Sequence, residues 1–392
     1  MQYNSNQGIN GHKVVTQCVL GMVLLISVFS SVHASAQTSA QASASGSDSL
    51  QMVTSAENLP KSWAIAVSPN NVLFMTERAG VLHRFALDES KTLAELSSLA
   101  PINLALDDLY NKGQGGLQAI AFAPDYAQNP WIYLSYSFGS DDANGLKVIR
   151  IKLDQNKVLV KELLFTQQDL RATPAHYGAR LAFASNGSLL LSTGDGFDYR
   201  EQAQVSSSQL GKILRLTPST ATNEYDVEVY SRGHRNPQAL LVMDNGQVIS
   251  HEHGPEGGDE VNLIKQGDNY GWPVITQGRD YLGGLITPFV EYEGMQQPDY
   301  NWTPSIAPSG MIYYQGDRIA AFEQRLVVTS LKFQQLHTLK LANDVVSDEN
   351  IYFTSSGFRL RDITQSQSGR VFLLSDGAQG ANSTKIFEVA LK

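Results

Sequence analysis

The stretch AFASNGSLLLSTGDG, residues 182–196, decides the fold. It runs from a short apolar segment into Asn186-Gly187, then through alternating Leu and Ser to a glycine-rich exit. Apolar strand, Asn-Gly turn and second strand are the ingredients of a β-hairpin, because Asn and Gly tolerate the positive φ that tight turns demand. The same order recurs as VSPNNVLFMTER at 67–78, AFAPDYAQNPWIYLSYS at 121–137 and VMDNGQVISHEHG at 242–254. It returns as SGMIYYQGD at 309–317 and QSQSGRVFLLSDG at 365–377. Further strands of one shape follow several copies: VLHRF, KVIRIKL, KILRLTP, LHTLKLA and KIFEVAL.

Six copies spread over most of 392 residues is the spacing of a repeat architecture with one small sheet per repeat. Outside the N-terminal segment no stretch shows a 3.6-residue apolar stripe of helical length. The expectation is an all-β six-bladed β-propeller of four-stranded antiparallel sheets, with a large β-sandwich or another blade number as alternatives.

Working outward, the N-terminus has a different texture. His12 and Lys13 precede an apolar run from Val14 to Val32, and Ala34-Ser35-Ala36 follows. That order reads as a secretory signal over residues 1–36, cleaved after Ala36. An uncleaved anchor is the alternative, because the run nearly reaches membrane-spanning length. Residues 37–55 begin with Ser, Ala, Gln and Gly and read as a flexible tether, leaving residues 56–392 as the propeller domain. The expected location is periplasmic or secreted, with no membrane in the mature form. The single cysteine, Cys18, lies in the leader, so the mature chain has no disulfide, thiolate ligand or cysteine nucleophile. Net charge is −9 with no basic stripe, which argues against a nucleic-acid partner.

Propeller sites lie where loops and inner strands meet the axis. Arg235-Asn236, in GHRNP, sets a planar five-donor fork beside an amide and suits a ligand with carboxylates or carbonyls; a structural ion pair is the alternative. In HEHGPEGGDE at 251–260, carboxylates and loop carbonyls suit calcium. His251 and His253, two apart on a strand, allow zinc if His176 or His234 completes the set. His176, before ARLAF, is a residue type suited to proton transfer near neutral pH, and equally to a structural hydrogen bond. Lys332, Arg359 and Arg361 join Arg235 as cations which, if they converge, invite a small polyanion. Trp302 is either a stacking platform for a ligand or a packed core residue.

With these residues in view, the chain resembles the soluble quinoprotein aldose dehydrogenases of the glucose/sorbosone dehydrogenase family. The resemblance runs from about Leu59 to Leu391 through MTERAG, GQGGLQAIAFAPDY, HYGARLAF, LLSTGDG, GHRNPQ, EHGPEGGDEVNLIKQGDNYGWP, VTSLK and FRLRD. It implies an enzyme that oxidises aldoses with pyrroloquinoline quinone (PQQ) and Ca2+ and passes electrons to an external acceptor, as a monomer or homodimer. It further implies His176 as base, and Arg235 and Asn236 as cofactor contacts, with Arg235 stabilising charge on the quinone oxygen. By the same resemblance Lys332, Arg359 and Arg361 grip the cofactor's carboxylates, and Gln114 is a polar neighbour of cofactor and substrate. Gly254 and Pro255 would offer carbonyls to the calcium beneath the quinone, and Glu260 and Tyr270 match a second, structural calcium. Ala175 stands where glucose oxidisers have Asp, Ala179 replaces a common Gly, and the segment before GHRNP is short, so the implied range is broad aldoses rather than glucose alone. A calcium-dependent propeller lactonase or esterase and a non-catalytic carbohydrate-binding propeller are the other classes considered.

Overall fold

The computed structural model describes residues 49–219, 225–378 and 380–392. The expected signal segment and most of the tether lie outside these residues. Each hairpin read from the sequence becomes the inner half of a four-stranded antiparallel sheet, and there are six such sheets. The described residues contain no α-helix, only short 3-10 turns at Arg200–Ala203 and Ala320–Phe322.

The innermost strands are Ser62–Val67, Leu117–Phe122, Gly178–Phe183, Pro237–Val242, Pro308–Tyr313 and Leu360–Gln365. Each packs against the next and the last returns to the first, closing a ring around an axis. Apolar faces of neighbouring sheets are buried against each other: Ile65, Leu73, Met75 and Phe85 of the first blade meet Phe372, Leu374 and Ile386 of the sixth. Each such side chain contributes about 1.5–3 kcal/mol by leaving water.

The sixth blade is composite. Its outer strand, Leu50–Leu59, comes from the N-terminal side and pairs antiparallel with Thr384–Leu391, Leu50 opposite Leu391 and Leu59 opposite Thr384. Residues 50–55, assigned to the tether on composition, therefore belong to the sheet. The misreading has a physical cause: this is an outermost strand in which only Leu50 is fully buried, so it lacks the alternating apolar pattern of an inner strand.

One irregularity repeats in every blade. Where the inner strand pairs with the second strand, the register slips by one extra inner-strand residue within its first turn of pairing. The slips fall between Ser62/Ala64, Leu117/Ile120, Gly178/Leu181, Pro237/Ala239, Pro308/Met311 and Leu360/Asp362. Such bulges bend a strand and re-aim the side chains at the slip.

Candidate active site

The residues at those slips include Trp63, Gln118, Arg180, Gln238 and Arg361. Four of them, Trp63, Gln118, Gln238 and Arg361, line a cavity of about 250 Å³ at the end of the ring where the inner strands begin. Beneath it, Arg180 crosses the axis from the third blade. Its Nε donates to the Gln238 carbonyl at 2.5 Å, Nη2 to the Ser309 carbonyl at 2.8 Å, and Nη1 pairs with Asp362 at 3.0 Å. Arg180 and Arg361 both lie over the Trp63 ring, at 4.2 and 5.1 Å. Burial pushes the Arg361 guanidinium down to about 10, which leaves it charged at neutral pH.

The cavity wall is cationic. Lys61, Arg78, Arg359 and Arg361 face it, with Asp376 as the only acid among the lining residues. Arg359 and Arg361, gathered from sequence as possible partners, are thus on one wall. Lys332 is not among the lining residues: it is exposed, its Nζ lies 5.8 Å from the Phe333 ring centroid, and it follows the cavity-lining Leu331, whose carbonyl accepts a bond from Arg359 Nη1 at 3.3 Å.

Beside the cavity sits His176, almost fully buried with φ +52°. Its Nδ1 bonds Asp195 at 2.7 Å, and Asp195 also accepts from the Phe197 amide and Trp272 Nε1, both at 2.8 Å. This fixes the ring and leaves Nε2 for chemistry. Burial, then the nearby Arg235 charge, lowers the His176 pKa despite Asp195, so the ring is neutral at neutral pH. Burial pushes the Asp195 carboxyl up, but the His176 hydrogen bond, the Arg235 charge and the Phe197 amide outweigh it and leave it below the ordinary range. Gln114, an exposed lining residue, accepts the His176 amide at 2.8 Å and ties the histidine to the cavity.

Arg235 and Asn236 are held from below by one carboxylate. Glu252 Oε2 accepts both of their amides, while Glu252 Oε1 bonds His234 Nδ1 at 2.9 Å. The buried Arg235 guanidinium donates to the carbonyls of His253 (3.1 Å) and Gly254 (2.8 Å) and to the Tyr281 hydroxyl (3.1 Å). Asn236 faces the cationic cavity, and Arg235 borders a second one of about 290 Å³ with Phe197, Pro255, Trp272 and Tyr281.

The proposed metal ligands divide. Gly254 and Pro255 lie beside Arg235, and the Gly254 carbonyl spends one acceptor site on that arginine. Glu260 lies directly across the sheet from Glu252, and burial followed by the Glu252 charge raises its pKa. The Tyr270 hydroxyl is committed, donating to the Leu263 carbonyl and accepting the Lys265 amide, both at 2.8 Å; only its backbone carbonyl remains for an ion. Among the described residues no group of three or more His, Cys, Asp and Glu is arranged to hold a metal. The zinc alternative lacks its ligand set: His253 Nε2 is tied to the Pro308 carbonyl at 2.7 Å, and His234 uses both ring nitrogens, on Glu252 and Ser231. Trp302 is buried core, donating to Glu349 at 2.6 Å, so the platform reading is withdrawn.

Sequence reasoning missed Asp195, Lys61, Arg78, Trp63, Gln118, Gln238 and Asp376 as site residues. A usable signal existed for some. The site collects residues at the start of inner strands and just past second strands, which places Lys61, Arg78, Asp195 and Asp376 beside hairpins already recognised.

Comparison with known proteins gives a consistent picture. The family model described as glucose/sorbosone dehydrogenase matches residues 59–386. The aldose sugar dehydrogenase YliI of Escherichia coli strain K12 is 32% identical over 341 residues, covering 83% of this chain and 89% of that one. The apo crystal structure of the soluble aldose sugar dehydrogenase of Escherichia coli superposes with a TM-score of 0.78 at 30% identity, covering 88% of this chain and 100% of that one. The PQQ-bound form of an aldose sugar dehydrogenase from Streptomyces coelicolor gives a TM-score of 0.67 at 25% identity, covering 90% and 100%.

Proposed function

The chain belongs to the glucose/sorbosone dehydrogenase family, and from that premise we propose that it oxidises aldose sugars at C1 to lactones by hydride transfer to calcium-bound PQQ. One observation supports this above the others: four cations face a single cavity beside a histidine that burial keeps neutral. A flat, multiply charged anion suits such a wall, since guanidinium forks match carboxylates in geometry as well as charge. A propeller lactonase would leave those cations without a task.

The residues fit the quinone well. Arg359, Arg361 and Lys332 would meet its carboxylates, with Asn236 and Gln114 alongside. For calcium they offer the carbonyls of Gly254 and Pro255, hard oxygen donors that need further ligands from the anion and water to reach six to eight. The Glu252–Glu260 pair is a buried acidic position that a second cation would relieve. When bound, the quinone supplies the hydride acceptor and calcium a Lewis acid that polarises it.

The chain supplies the rest. His176 Nε2 takes the proton of the anomeric hydroxyl, while Asp195 holds Nδ1–H, orients the ring and balances the imidazolium that forms. Gln114 fixes the histidine's backbone relative to the cavity. Arg235, whose guanidinium bonds only neutral oxygens in the contacts above, directs its charge toward the reacting face. The proposed setting is the periplasm or the extracellular space, after cleavage of residues 1–36. No helix among the described residues is long and apolar enough to cross a membrane.

Titration of the apoprotein with PQQ and calcium, followed by a dye-reduction assay over a panel of aldoses, tests the proposal. The expected result is a cofactor absorption band and sugar-dependent dye reduction that chelation abolishes and calcium restores better than zinc. No band and no dye reduction would reject it.

A further inference from the structure

The acid inside the cationic cavity has no task in the mechanism above, and an acid there works against an anionic ligand. Asp376 follows the strand Val371–Ser375, and its amide bonds the Arg359 carbonyl at 2.7 Å, so its place is set by the backbone. Its carboxylate meets Arg359 Nε at 3.3 Å through one oxygen and Lys61 Nζ at 3.4 Å through the other. Lys61 is steadied by the Gly377 carbonyl at 2.9 Å. Both residues keep part of their side chains in solvent, 23% for Lys61 and 17% for Asp376, and both line the cavity. The carboxylate also acts at range: among charged neighbours it is the one that most favours the protonated forms of Arg78 and Arg361.

Resting on the quinone reading, we propose that Asp376 is an exchangeable counter-ion for the anion-binding wall, and that Lys61 is a further carboxylate-binding residue released from it when ligand enters. Without ligand, Asp376 keeps Arg359 and Lys61 extended toward the cavity and lowers the repulsion among four clustered cations. An entering carboxylate takes over both partners and leaves Asp376 facing solvent. Part-exposed ion pairs of this kind are weak, so the exchange is easy. Affinity for the ligand is thereby reduced in favour of a preformed site.

Calorimetric titration of the full chain tests this with two probes: PQQ in excess calcium, and benzene-1,2,4-tricarboxylate without metal. Asp376→Asn, which keeps the side chain's shape, should bind both probes about tenfold more tightly, since a unit charge roughly 6 Å away in a wet cavity is worth about that much. Lys61→Gln should bind about tenfold more weakly, and the double variant should lie near wild type. Unchanged or weaker binding by Asp376→Asn overturns the inference, as does unchanged binding by Lys61→Gln, which decides the matter if Asp376→Asn fails to fold. Wild type binding the tricarboxylate but not PQQ rejects the quinone reading and leaves this inference to be judged on the tricarboxylate. Binding of neither probe rejects both.

Discussion

At the scale of single residues, the site depends on one histidine whose charge state is set by its surroundings. His176 is neutral because burial and Arg235 outweigh Asp195. Turnover should therefore hold as pH falls through 6.5, the ordinary histidine value, and decline only further into acid. His176→Ala should keep PQQ binding and lose dye reduction; unchanged reduction would remove it from the mechanism. Asp195→Asn should lower kcat by about a hundredfold and, because Asp195 favours the charged ring, move the acid limb of the kcat profile to still lower pH. His251 is a second neutral histidine, fully buried and pushed down by burial to about 3. The unfolded chain takes up that proton near 6.5 and the native chain does not, so stability present above pH 6.5 is lost as pH falls toward 3. The slope is about 1.4 kcal/mol per pH unit. In acid denaturation series, His251→Leu should flatten it. Ala179, noted in the sequence where relatives have Gly, has φ +73°. Ala179→Gly should change stability by no more than about 1 kcal/mol, relief of backbone strain offsetting the lost methyl, as a thermal melt would show. His176 and Arg235 were legible because their chemistry is unusual for a turn. Asp195 was quoted within its motif at a strand's end and given no role, since Asp beside Gly is common in loops.

At the scale of elements, the repeated register slip builds the floor of the cavity. Six inner strands that look regular in sequence each turn one or two residues toward the axis where they open onto the site. This explains why hairpins could be read from alternation and turn chemistry while Trp63, Gln118 and Gln238 could not. A bulge shifts the facing of side chains, and alternation alone gives no sign of which residue will be doubled. The principal tie among these strands is Arg180, which joins the third blade to the fourth, fifth and sixth. Arg180→Met should preserve packing on Trp63 but leave the buried Asp362 without its cation, a cost of about 3–5 kcal/mol. Adding Asp362→Asn should recover part of that loss in urea melts; simple additivity would mean the pair is not coupled.

For the whole molecule, the blade number was legible because six hairpins recur, and the closure was not, because its outer strand looks like linker. Removal of residues 1–48 should leave the thermal midpoint unchanged, whereas removal through residue 59 should lower it sharply or prevent folding. The strand at Leu50–Leu59 is among the first parts of the domain to be synthesised, and its partner at Thr384–Leu391 is the last. The first-made strand thus waits for a partner made after the strands of the other five sheets. Five sheets have all their strands before the sixth can be completed, and until then the growing polypeptide has an open hydrogen-bonding edge at each end of an unfinished circle. Such edges recruit strands from other chains, so a loss of even the final eight residues would endanger solubility long before it touched the chemistry.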